Sequence, residues 1–279
     1  MEWRNNRIGG VIMAESQICN IIFNYSIATD IYIMAIESKY IANTGKPGQF
    51  IHIEIPYDNS LLLRRPISIN SVDKKNNVVY IVYQVVGTGT TILSNLKKGD
   101  TLDILGPLGN GFLIPKDVNN IAIVGGGCGI APLKYIVDYW RNISYTTFLG
   151  YKNIDSIYQL MEFERASERL YLTTDDGSQG EKGVITEIVK REIDDISPQL
   201  IIACGPIPML REVQNIASTR NIPCQISLEE RMGCGIGACM VCSCKVKAKD
   251  GFEYKKVCSD GPVFLGDEVI LDENAQFSC

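Results

Sequence analysis

Four cysteines fall within eleven residues in the stretch Leu228 to Lys245, LEERMGCGIGACMVCSCK. Cys234, Cys239 and Cys242 follow the C-x4-C-x2-C spacing of a plant-type [2Fe–2S] loop, and Cys258, sixteen positions on, supplies a fourth thiol. Iron needs soft anionic ligands, and a short loop turns several sulfurs inward only where its backbone bends tightly. Gly233, Gly235, Gly237 and Ala238 suit that bend and leave amides free to point at sulfur. Cys244 is surplus to the four and is read as structural. A structural zinc is the competing reading, although zinc ligands usually come as paired C-x2-4-C knuckles; the spacing favours iron and sulfide. A disulfide framework fits less well, because the start MEWRNNRIGG has no apolar signal segment.

The elements that must position this loop change character along the chain. Residues 1–13 carry no periodic pattern and read as an extension. From 14 to 115 the sequence predicts short strands at Ile31–Glu37, Gln49–Ile55, Pro66–Val72, Val78–Val86 and Thr101–Leu105, separated by turns such as Gly45-Lys46-Pro47-Gly48. Such a run implies a small antiparallel barrel. Two of its segments could hold phosphate. Leu63-Arg64-Arg65-Pro66-Ile67-Ser68 opens a strand with paired guanidiniums, which grip phosphate through two parallel hydrogen bonds. Gly87-Thr88-Gly89-Thr90-Thr91 leads into a short helical pattern at Ile92–Leu96, where free amides suit a diphosphate. Singly, the first could be a solvated edge and the second a plain turn. Together they point to a flavin nucleotide.

From 116 to 223 strands alternate with helices: strands at Asn120–Val124, Tyr145–Gly150, Leu170–Thr174 and Leu200–Cys204, helices at Pro132–Trp140 and Ile207–Ser218. This predicts a parallel sheet covered by helices, with ligands beyond the carboxyl ends of its strands. Gly125, Gly126, Gly127 and Gly129 lie there, in a turn that opens a helix and could cradle a dinucleotide diphosphate, though Ile130 breaks the G-x-G-x-x-G fingerprint. Cys204-Gly205-Pro206 ends another strand with small residues that leave room for a flat ring, or form a tight turn and no more. The carboxylates of Thr174-Asp175-Asp176-Gly177-Ser178 could bind a ribose or cap a turn. Cys224–Leu228 reads as the last strand of the sheet. The region 224–279, with strands at Cys244–Val246, Phe252–Lys256 and Glu268–Leu271, is small enough to need a staple, which a cluster would supply.

A net charge of −5 without basic clusters argues against nucleic acid as a partner. No uncharged apolar run approaches the ~20 residues of a membrane helix, so a cytoplasmic protein is expected, and its 10 cysteines then imply a metal or redox role. The one histidine, His52, sits in a strand and is assigned no role; without others, Ser-His-Asp hydrolysis is a poor fit.

Arg65-Pro66-Ile67-Ser68, the GTGT segment, GPLGNGF at 106–112, GGGCGIAPL, TDDGS, CGP and EERMGCGIGACMVCSCK resemble, in order, the electron-transfer subunits of NAD-dependent (type B) dihydroorotate dehydrogenase, within the ferredoxin-reductase superfamily. The resemblance implies a multidomain β plus α/β fold: an antiparallel FAD-binding β-barrel at 14–115, a parallel-sheet α/β NAD-binding domain at 116–223 and a small [2Fe–2S] domain at 224–279. It implies Cys234, Cys239, Cys242 and Cys258 as cluster ligands. FAD would lie on Arg65, Pro66, Ile67, Ser68, Val82, Tyr83, Gln84, Gly89 and Thr90, with Ser68 near the flavin ring, and NAD on the GGGCG loop. It further implies an FMN-containing catalytic partner that oxidises dihydroorotate to orotate, in a dimer of heterodimers. The alternatives are a small subunit of an NADH-dependent ferredoxin:NADP oxidoreductase or sulfide dehydrogenase, a reductase feeding an oxygenase, and a zinc-stapled binding protein.

Overall fold

The computed structural model describes residues 14–58 and 60–271, so the expected extension at 1–13 and Cys279 lie outside the described residues. The first unit is a closed six-stranded barrel of β1 (Glu15–Ala28), β2 (Ile31–Glu37), β3 (Phe50–Ile53), β4 (Arg65–Asp73), β5 (Val78–Gln84) and β6 (Thr101–Leu108), hydrogen-bonded in the order β1-β2-β5-β4-β3-β6. All its pairings are antiparallel. Alternation along the strands fills the interior with Ile21, Met34, Ile36, Ile51, Ile53, Ile69, Ile81 and Ile104, each buried. Tyr83 also enters it, and its phenol donates to Asn24 Oδ1 at 3.0 Å, which satisfies a polar tip that burial would otherwise penalise.

Helices α1 (Lys39–Thr44) and α2 (Thr88–Asn95) cover the barrel. The sequence pattern placed the second helix at Ile92–Leu96, but it begins at Thr88, so the GTGTT segment is its first turn. Thr90 Oγ1 accepts from the amides of Val86 and Gly87 at 2.9 and 3.2 Å, and this closes the helix start earlier than apolar spacing shows. The long β1 was not expected from the sequence.

The second unit alternates β7 (Asn120–Gly126), α3 (Ile130–Tyr139), β8 (Ser144–Tyr151), α4 (Leu160–Ala166), β9 (Arg169–Thr174), β10 (Glu181–Lys182), α5 (Ile185–Ile196), β11 (Leu200–Cys204), α6 (Ile207–Thr219) and β12 (Cys224–Ser227). These seven-stranded-sheet members lie in the order β10-β9-β8-β7-β11-β12, all parallel, with one further strand outside β12. From β7 the chain builds outward through β8 to β10, then returns to β11 on the other side. The crevice between β7 and β11 is therefore the topological switch point, where open α/β sheets bind ligands.

The third region adds the hairpin of β13 (Ser243–Ala248) and β14 (Gly251–Lys256), and then β15 (Val263–Leu265), which pairs antiparallel with β12. Two expectations are corrected here. Cys224–Ser227 is not the sheet's last strand, because β15 covers its edge. Glu268–Leu271 is not a strand; only Val269 bridges back, to Val246. A single apolar core joins Phe50 and Leu108 of the barrel, the α5/α6 face of the sheet and Cys242, Cys244, Val246, Val257 and Cys258. The barrel is also tied to α3, since Asn70 Nδ2 donates to Ala131 O at 2.7 Å and Tyr135 Oη to Gly45 O at 2.9 Å.

Candidate functional site

Where the three units meet there is a cavity of about 530 Å³, within the range of small-molecule sites. The barrel contributes Arg65, Pro66, Ile67 and Ser68 from β4, Val82, Tyr83 and Gln84 from β5, and Thr90 from α2. Across it stand Gly129 and the Cys204-Gly205-Pro206 turn. The cavity is closed by Ser227 to Met232, the segment between β12 and the cysteine loop. Sequence reasoning brought together eight of these positions on the barrel side and missed Phe50, Glu229, Glu230 and Arg231. The signal available for the last three was their place just past the carboxyl end of a sheet strand. Burial pushes the Glu230 carboxyl up to about 7.

The paired arginines part company. Arg64 is spent on structure, with Nη2 2.7 Å from Glu54 Oε2 and Nη1 2.9 Å from Asp103 Oδ1. Hydrogen bonding from Arg64 holds the Asp103 carboxyl below its usual range. Among the described residues Arg65 has no such ion pair; its Nη1 donates to Leu63 O, and its guanidinium packs close to Gly89 in the first turn of α2. A Cβ on Gly89 would stand 2.9 Å from Arg65 Nε, so only glycine lets the guanidinium come this close. A fixed cation over the amides of a helix start is a diphosphate-binding arrangement. The residues present thus fit a flavin dinucleotide.

At the switch point, Cys204 of β11 pairs with Gly125 of β7, and the two following turns pack together. A Cβ on Gly129 would lie 2.5 Å from the Cys204 carbonyl carbon and the Gly205 nitrogen. Gly125 and Gly126 are buried against Ile130 and Met209, while Gly127 is exposed, and these three do not line the cavity itself. Tyr158 Oη donates to the carbonyls of Gly127 and Cys128 at 3.0 and 3.3 Å and fixes the turn from behind. Asp176 Oδ1 accepts from the amide and hydroxyl of Ser178 at 2.9 and 2.6 Å, so of the two open readings the turn cap is the one this carboxylate fulfils.

The cysteine loop and Cys258 set four sulfurs in two pairs. Cys239 N donates to Cys234 Sγ and Cys234 N to Cys239 Sγ, both at 3.4 Å, while Cys258 N donates to Cys242 Sγ at 3.4 Å. The thiols within each pair also interact directly. Two irons with two thiolates each need pairs, and this donor set of four thiols in two pairs fits a [2Fe–2S] cluster.

Amides serve the sulfurs. Ala238 N donates to Cys234 Sγ and Gly237 N to Cys258 Sγ, each at 3.2 Å, whereas Gly235 has a different contact, with His52. Partial burial would raise the Cys234 thiol, but amides of Ile236, Cys239 and Ala238 and the Cys239 thiol bring it down to about 6. Burial and the neighbouring Cys242 push Cys258 up to about 12. A free thiolate is costly there, and a metal cation bridging the pair would remove that cost. Cys244 is 8% exposed with its thiol pushed up to about 12, first by burial and then by the Glu230 charge, so it stays protonated and packs as expected. The nine described cysteines form no disulfide.

Comparison with known proteins agrees with this geometry. The iron-sulfur cluster binding domain of dihydroorotate dehydrogenase B matches residues 229–270, an oxidoreductase NAD-binding domain 123–215 and an oxidoreductase FAD-binding domain 19–112. The chain is 42% identical over 251 residues to the dihydroorotate dehydrogenase B (NAD(+)) electron transfer subunit of Caldanaerobacter subterraneus subsp. tengcongensis, covering 90% of this chain and 97% of that protein. It is 38% identical over 250 residues to that of Desulforamulus reducens, covering 89% and 95%. The chain belongs to this family of electron transfer subunits. Among solved structures, an NADH-dependent reduced ferredoxin-NADP oxidoreductase studied for electron bifurcation superposes with a TM-score of 0.81 at 32% identity over 93% of this chain and 92% of that one. A cytochrome P450 reductase from Amycolatopsis, at 19% identity and a TM-score of 0.63 over 75% and 67%, shares the fold. As in the family, FAD-, NAD- and iron–sulfur-binding domains occur in one oxidoreductase electron-transfer chain. Among the described residues no helix is long and apolar enough to cross a membrane.

Proposed function

We propose that this subunit passes electrons from the FMN of a catalytic partner, by way of a [2Fe–2S] cluster and FAD, to NAD+ as the partner oxidises dihydroorotate to orotate. The observation that carries the reading is the cavity itself: it is lined both by the flavin-side strands and by Ser227–Met232, the segment that leads in sequence directly to the cysteine loop. FAD supplies the exchange between a hydride and single electrons that this chemistry needs. The chain's residues bind and order the carriers. Arg65 and the start of α2, with Gly89 and Thr90, hold the diphosphate, Pro66 to Ser68 and Val82 to Gln84 line the flavin, and Gly125, Gly126, Gly127 and Gly129 with Cys204-Gly205-Pro206 shape the nicotinamide side. Cys234, Cys239, Cys242 and Cys258 ligate iron, within domains at 14–115, 116–223 and 224–279.

The partner's place is supported by the loop's outer rim, where Ile236, Met240 and Val241 are each at least half exposed around the exposed Cys239. An apolar rim of this kind suits a protein contact. A dimer of heterodimers in the cytoplasm completes the proposal. The ferredoxin-NADP oxidoreductase likeness keeps a second reading in view, with the same carriers and a different partner.

The test is anaerobic purification with a visible spectrum and iron, sulfide and flavin assays, alone and with the chain that co-purifies. Two irons and one FAD per chain, and an FMN-containing partner turning over dihydroorotate, are expected; a colourless zinc protein overturns the reading.

A further inference from the structure

Strand β3 is four residues long and buried throughout. Ile51 and Ile53 point into the barrel core, so Phe50 and His52 share the opposite face. Phe50 lines the cavity. His52 lies under the cysteine loop: a Cβ on Gly235 would stand 2.5 Å from His52 Nδ1 and 3.1 Å from its Cε1. Gly235 has φ +71, which favours glycine in any case. Two adjacent side chains of one strand thus touch the cavity and the loop that follows Cys234.

The ring of His52 is 0% exposed, and neither of its nitrogens meets hydrogen-bond geometry with a described residue, although the Arg64 backbone carbonyl lies close to the ring. Burial first pushes the imidazole down to about 4, with the Arg64 backbone acting the other way and the Arg64 and Arg65 charges adding to the fall. Arg64, whose Nη1 reaches His52 O at 3.5 Å, is itself held by Glu54 and Asp103. The ring is therefore neutral, with one N–H to give. A buried donor without a well-formed bond is destabilising, and an aliphatic residue would fill the space without that penalty.

We infer that His52 is a positioning residue for the bound cluster: with its proton on Nδ1, the nitrogen facing Gly235, it donates to a cluster sulfur and so raises the cluster's reduction potential. The inference rests on the four cysteines being the ligands. Reduction adds one electron and one unit of negative charge to a site already rich in thiolate. A donor in a dry, low-dielectric gap stabilises that added charge more than it stabilises the oxidised form. It also explains why a buried strand face carries a polar ring where Gly235 of the loop packs against it.

The chain's single histidine makes the test unambiguous. Protein labelled with ¹⁵N-histidine, free of any histidine tag, is reduced with dithionite and examined by pulsed EPR. A weak hyperfine coupling from a histidine nitrogen to the reduced cluster is expected, and it should be absent in His52→Leu. Redox titration should show the His52→Leu potential shifted to more negative values, with His52→Gln, which keeps a donor, returning part of the shift. A full cluster signal without histidine coupling overturns the inference, as does an unshifted potential in His52→Leu. Should that variant fail to fold, the coupling in the labelled native chain decides. No cluster signal in the native chain overturns the ligand assignment, and this inference with it.

Discussion

At the flavin end of the cavity, the binding groups are held by bonds the protein makes with itself. Arg65 is fixed by Leu63 O and the bare surface of Gly89, and behind it the barrel is packed with aliphatic side chains at or near zero exposure. At the cysteine end, the sulfurs are held by amides of the loop and of Cys258, and Cys258 sits with Cys242 in a buried space where its thiolate is penalised. The first region is finished before its cofactor arrives. The second is arranged for something that must come and neutralise it. The difference follows from material: a barrel of about 100 residues can bury enough apolar surface to fix a cation in place, whereas a short loop and one hairpin cannot.

The largest effect expected from this contrast is that of Cys242→Ser. It should abolish the visible and EPR signals of the cluster and raise hydrogen exchange across residues 229–258, while amides of β2 and β5 keep their protection and NADH still reduces bound FAD. Equal loss of protection in the barrel would erase the distinction. Arg65→Ala strikes the other end. Removing a charged hydrogen-bond donor costs about 1.5–3 kcal/mol, so the FAD dissociation constant should rise roughly ten- to hundredfold by titration with iron content unchanged. Gly129→Ala forces a methyl against Cys204 and Gly205; overpacking of this kind costs about 1–3 kcal/mol. The unfolding free energy should fall by about that amount, and stopped-flow reduction of FAD by NADH should slow as the turn is displaced, with FAD affinity retained.

The smallest effect is at Asp103, whose carboxyl is lowered by Arg64. Its contribution is present above the ordinary carboxylate pKa of about 4 and is lost as pH falls through the lowered native value. Asp103→Asn should therefore cost under about 1 kcal/mol in urea unfolding at neutral pH, and the difference from the native chain should shrink in acid.

The cysteine loop was legible because ligand spacing is a local property: Cys234, Cys239 and Cys242 need only their own turn to converge, and the pairing with Cys258 required a distance no spacing reports. The β2 and β11 limits were also legible, since short apolar runs bounded by turns carry their own ends. Strand β1 was hidden because it serves two neighbours, β2 and β6, and curves between them; Ile18 and Tyr25 face out while Cys19 and Ile21 face in, which blurs the alternation. Helix α4 buries one apolar side chain, Phe163, too few to show a period. Helix α5 is different, for Ile185, Ile188, Val189 and Ile193 do have helical spacing, and the signal was present in the sequence. The split between Arg64 and Arg65 could not be read in advance, because neighbours on a strand face opposite ways and only the partners Glu54, Asp103 and Gly89 say which is which.

Because β15 zips onto β12, and Leu228 N donates to Pro262 O at 2.9 Å, the chain leaves the sheet for the cysteine loop and comes back at adjoining positions. The redox module is thus clamped at both of its ends and has no tether on which to swing. Rates of internal electron hopping should then be indifferent to solvent viscosity, in contrast to a carrier that must travel between docking stations.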